Sequence, residues 1–130
     1  MELKLETICA LATGSGIGAI AVVRISGADA RKILSQCFSK DLSKAQSHTI
    51  HFGTISGKDD TQIDEVLVSY FEHGRSFTGE ESIEISCHGS PYVQQQILAV
   101  MQQCGCRMAE PGEFTKRAFI NGCLLYTSDA

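Results

Sequence analysis

Two oppositely charged side chains stand out because each sits in a run whose pattern is that of a β-strand. Arg24 is the one charge in Ala19-Ile20-Ala21-Val22-Val23-Arg24-Ile25-Ser26, a run dense in β-branched residues. Alternation puts it on the same face as Ile20 and Val22. A guanidinium there requires an anionic or carbonyl partner, because leaving it unpaired costs several kcal/mol. That partner is either a structural carboxylate or a ligand. Glu84 poses the converse question in Ser82-Ile83-Glu84-Ile85-Ser86-Cys87-His88. Ile83, Ile85 and Cys87 point one way, and Ser82, Glu84, Ser86 and His88 the other. The polar row is a solvated face or the floor of a cleft. In a cleft, one carboxylate suits an amidine-like donor edge such as that of a pterin.

Gly14-x-Gly16-x-Gly18 invites a phosphate-binding interpretation, but that mechanism needs a helix N-terminus directly after the loop. A β-branched strand follows instead, so the glycines are expected to form a turn between strands. No G-x-x-x-x-G-K-[ST] occurs in the chain, and hydrolysis of GTP by these residues is not expected.

The elements that must hold these residues can be read along the chain. A helix is expected from Gly27-Ala28-Asp29 to about Phe38, with Ala30, Ile33, Leu34 and Cys37 at helical spacing. His48–Ile55 and Ile63–Phe71 flank the polar turn Ser56–Thr61 and predict an antiparallel hairpin. Ser90-Pro91 has the chemistry of a helix start. Val93, Ile97, Met101 and Cys104 line one face of that helix, and Gly105 ends it. Arg107-Met108-Ala109 predicts a short last strand. After Glu110-Pro111-Gly112 a helix runs from Glu113 to Ile120, docked by Phe114, Ala118 and Phe119. Strands interleaved with helices define an α+β class with a mixed β-sheet and packed helices.

The bulk properties agree with one compact domain. The chain has 130 residues, 43% of them apolar and 20% charged, enough for a core and too mixed in sign for disorder. A formal net charge of −4 argues against nucleic-acid binding by these residues alone. Neither a membrane-spanning stretch nor a signal-peptide layout is visible, which predicts a cytoplasmic protein. The six cysteines include no C-x-x-C pair, so reduced, buried thiols are expected. A metal site on Cys87, His88, Cys104 and Cys106 is disfavoured by its spacing.

Several segments together resemble the MnmE (TrmE) family of tRNA-modification GTPases. They are Thr7-Ile8 with Ala12-Thr13, Gly16, Arg24-Ile25-Ser26-Gly27, Asp64-Glu65, Ser76-Phe77-Thr78-Gly79-Glu80-Glu81, Glu84 and Cys87-His88-Gly89. The long run Arg107-Met108-Ala109-Glu110-Pro111-Gly112-Glu113-Phe114-Thr115-Lys116-Arg117-Ala118-Phe119 completes the series. The match extends from about Glu6 to Gly122. The resemblance implies that residues 1–122 are an N-terminal domain that binds formyl-tetrahydrofolate and forms a homodimer. Its implied fold is similar to that of folate-dependent aminomethyltransferases, an analogy that transfers no reaction. In the family a helical domain and a GTPase domain follow, and potassium and magnesium belong to the latter. The flavoprotein MnmG is the implied partner in modifying C5 of the tRNA wobble uridine, with tRNA held by the full complex.

The family's folate contacts fall on Arg24, on Glu84 and, at a lysine position, on Cys123. The family's turn T-P-P-G is replaced by Thr13-Gly14-Ser15-Gly16, which predicts a more mobile loop. Residues 123–130 depart from the family and are expected to be a tail from a truncated or chimeric reading frame. The alternative is a free-standing folate enzyme of aminomethyltransferase type. Such enzymes are longer, and beyond His88 this chain offers no evident general acid or base.

Overall fold

The computed structural model describes residues 5–13 and 18–122. Six strands form one sheet: β1 (Ile8–Leu11), β2 (Ile20–Ser26), β3 (Thr49–Ser56), β4 (Gln62–Phe71), β5 (Ser82–His88) and β6 (Arg107–Met108). Three helices accompany it: α1 (Ala30–Leu34), α2 (Pro91–Gln103) and α3 (Glu113–Ile120). The strand order is β3-β4-β5-β2-β1-β6. Every pairing is antiparallel except β1 with β6. The sheet is therefore mixed and the class α+β, as expected. β5 and β6 run in the same direction with two strands between them, a connection that needs a crossover, and α2 supplies it.

Strand alternation divides the sheet cleanly. Val23, Ile25, Val66, Val68, Ile83, Ile85 and Cys87 are buried on one face, where α1 and α2 add Ala30, Ile33, Leu34, Ile97 and Met101. Ser90 caps α2, its side chain accepting from the Val93 amide at 3.5 Å, with Pro91 in the first turn. The opposite face carries Arg24, Glu84, Ser86, Leu67, Ile50 and Phe52. Phe114 of α3 and Phe77 of the β4–β5 loop reach over Arg24 on this face, while Ile20, Ile50, Phe52 and Leu67 are exposed.

Helix α1 is shorter than its periodicity predicts and ends at Leu34. The chain beyond it is drawn toward the sheet instead. The Ser56 amide donates to the Cys37 carbonyl, the Ser39 amide donates to Thr54, and Phe38 bridges to Ile55. Phe38 packs so tightly over β3 that a Cβ at Gly53 would meet its ring at 2.6 Å. Phe119, expected to dock α3, is 67% exposed, while Ala118 and Arg117 are buried.

Candidate ligand-binding site

The antiparallel register of β2 with β5 places Arg24 directly opposite Glu84, so the two side chains in search of partners find each other. Arg24 Nε donates to Glu84 Oε2 at 3.0 Å, and both side chains remain partly open to solvent. Neither terminal guanidinium nitrogen of Arg24 nor Glu84 Oε1 has a partner among the described residues. The guanidinium is also held between two rings, its Cζ lying 5.4 Å from the Phe77 centroid and 5.2 Å from that of Phe114. Such cation–π contacts fix a guanidinium without using its hydrogen bonds. One ring comes from the loop between β4 and β5 and the other from α3, so three parts of the chain converge on one charge. A cavity of about 230 Å³ opens beside the pair, lined by Arg24, His48, Phe71, Arg75, Phe77 and Glu84 together with Ser76 and Ser82. It offers a carboxylate edge, guanidinium donors and aromatic walls, suited to a flat, polar-edged ring.

A network below the pair holds the β4–β5 loop and α3 in place. Arg117, 2% exposed, donates from Nη1 to both Glu80 oxygens at 3.2 and 3.1 Å, and from Nη2 to Glu113 at 3.2 Å. Glu80 also accepts from Ser26 Oγ at 2.8 Å. Ser26, Thr78 and Ser82 share hydroxyl bonds beside it. Arg107 grips Glu113 with two nitrogens at 3.0 and 2.7 Å. That grip holds the Glu113 carboxyl well below the usual range, at about 2. Asn121 then donates to the Thr78 carbonyl at 2.9 Å. These contacts account for Arg107, Glu113 and Arg117 in the run Arg107–Phe119 and for Thr78 and Glu80 in Ser76–Glu81. The buried Arg117 is the residue that periodicity missed, and its spacing of four from Glu113 was the available signal.

The motif glycines serve close backbone approach. Gly27 has φ +147°, and a Cβ on it would collide with Thr7; a Cβ on Gly89 would collide with the carbonyl of Gly18. The Asp64 and His88 motifs also meet. Asp64, nearly buried, accepts from the His88 amide at 2.9 Å and from its Nδ1 at 2.7 Å. Cys87, beside His88 in sequence, is buried in the core. Among the described residues no cluster of three or more His, Cys, Asp or Glu side chains could hold a metal ion. Cys9, Cys37, Cys87, Cys104 and Cys106 are free and buried. Burial pushes the Cys37 thiol up to about 12 and the Cys87 thiol up to about 11. The glycine loop's residues 14–17, expected to form a turn, lie outside the described residues, as do Cys123 and the rest of the tail. No helix among the described residues is long and apolar enough to cross a membrane.

Fold and cavity thus define an α+β domain with an arginine–carboxylate pair beside a cavity on one sheet face. Residues 7–123 match the family described as "GTP-binding protein TrmE N-terminus", and the chain belongs to that family. It is similar to tRNA modification GTPase MnmE of Flavobacterium johnsoniae, 56% identical over 123 residues, covering 92% of this chain and 26% of that protein. The corresponding protein of Parabacteroides distasonis is 49% identical over 123 residues, covering 91% and 27%. That of Christiangramia forsetii is 52% identical over 120 residues, covering 89% and 25%. The chain spans about a quarter of the length of these relatives.

Proposed function

We propose that residues 1–122 form a domain that binds a formyl-tetrahydrofolate at Arg24 and Glu84 and pairs with a second copy, within a tRNA-modification GTPase. The observation that carries the folate part is the Arg24–Glu84 pair beside an aromatic-walled cavity. Glu84 Oε1 is free to accept from the N–H edge of a pterin. The guanidinium, already aimed by two rings, has its terminal nitrogens left to donate to the ligand. The domain would supply the folate as a one-carbon source, while GTP hydrolysis, potassium and magnesium belong to the GTPase part of such a protein. Acting with the flavoprotein MnmG, in the cytoplasm, the whole protein would modify C5 of the wobble uridine. The relatives' name supports this assignment over a free-standing aminomethyltransferase.

Pairing with a second copy is supported by the bare end of the open sheet face. Ile20, Ile50, Phe52 and Leu67 stand exposed there, an apolar area that a monomer gains by covering. No role is proposed for residues 123–130, the lysine position at Cys123 included.

Calorimetric titration with formyl-tetrahydrofolate tests the site. Glu84→Gln is expected to weaken binding by about 1–3 kcal/mol, the range for a charge-assisted hydrogen bond, and Arg24→Ala comparably. If both variants bind normally at unchanged stability, the pair is purely structural.

A further inference from the structure

The cavity holds more positive charge than a folate ring system can use. Arg24 and Glu84 largely cancel each other, and a pterin edge is uncharged. Arg75 also lines the cavity, on the loop between β4 and β5 that carries Phe77. Among the described residues its one ion pair is with Glu72 three residues before it, at 3.5 Å, with the two side chains 60% and 49% exposed. Such a pair is weak and readily exchanged for a better anion. His48 stands on the same rim, its ring set edge-on to Phe71 at 5.0 Å. The site is therefore polarised, with a neutralised pair inside and an underused guanidinium at its mouth.

We propose that Arg75 is a specificity-determining residue that reads the acidic tail of the ligand, so that the site selects a poly-γ-glutamyl folate over the monoglutamyl form. This rests on the folate assignment above. With the ring against Glu84, the chain of glutamyl carboxylates leaves through the mouth and passes Arg75. One guanidinium can then exchange Glu72 for a tail carboxylate, and each added glutamate brings one more carboxylate into its reach. Arg24, pinned by Glu84 and two rings, stays with the ring end.

The test compares formyl-tetrahydrofolate carrying one or three glutamates by calorimetric titration of the chain and of Arg75→Gln, at low and at moderate salt. The unsubstituted chain is expected to prefer the triglutamate roughly three- to fivefold, the range an exposed ion pair contributes. Arg75→Gln is expected to abolish that preference, lowering triglutamate affinity more than monoglutamate affinity, by up to about fivefold. Equal binding of the two forms by the unsubstituted chain overturns the tail assignment alone, as does a preference that survives in Arg75→Gln. Equal competition by inorganic tripolyphosphate and free tri-γ-glutamate, with no dependence on the folate ring, reduces Arg75 to a general anion contact and overturns it too. Failure of both folates to bind overturns the folate assignment itself, and this inference with it.

Discussion

Replacing Arg117 by alanine should be the most damaging single change outside the apolar core. The guanidinium is 2% exposed and makes three ion-pair hydrogen bonds, two to Glu80 and one to Glu113. The two carboxylates do not suffer equally. Glu113 keeps both bonds from Arg107 and is still neutralised. Glu80 keeps little more than the Ser26 hydroxyl and becomes a largely buried charge without a counter-ion. Removing one partner of a buried pair costs about 3–5 kcal/mol. Set against a total stability of about 5–15 kcal/mol for a domain, that is a large share. Urea denaturation followed by far-ultraviolet circular dichroism measures it. Adding Glu80→Gln to an Arg117→Met background removes the orphaned charge and should return about half of the loss, because most of the cost lies in the stranded carboxylate. A loss below about 1 kcal/mol in Arg117→Ala, or no recovery in the double variant, would refute the reasoning. Because Glu80 anchors the loop bearing Phe77 and Arg75, Arg117→Ala should also weaken folate binding.

Two further outcomes are expected. The Glu113 carboxyl sits at about 2 in the folded chain, held down chiefly by Arg107, against an ordinary value near ~4.3 unfolded. Its folded value is the lower one, so its contribution is fully present above the unfolded value and is lost as pH falls toward about 2. Glu113→Gln should therefore flatten the decline in melting temperature below pH 4.5 or so; an unchanged acid limb would discount the Arg107 contact. Phe52→Glu, on the bare sheet face, should leave the fold intact and shift the chain to a monomer in light scattering after size-exclusion chromatography. A dimer that survives this change, and Leu67→Asp beside it, would place the contact elsewhere.

Much of the architecture was legible along the chain because period-two alternation is a local property. β5 was bounded to the residue, and the capping pair Ser90-Pro91 marked the start of α2. Alternation also assigned Arg24 and Glu84 to faces and showed that each needed company. That they satisfy one another was a matter of register, since β2 and β5 are separated by more than fifty residues. The premature end of α1 was equally invisible, because Cys37, Phe38 and Ser39 leave the helix to bond β3. In α3, apolar spacing favoured Phe119 over Arg117 as a docking residue. The fold buries the arginine because Glu80, brought in from the distant β4–β5 loop, joins Glu113 one helical turn away in neutralising it there. What the sequence determined by itself was the chemistry on offer and the face each strand presents. Tertiary structure decided which charges cancel and which stay open to a ligand, because a pairing energy exists only once the chain has brought both partners within reach.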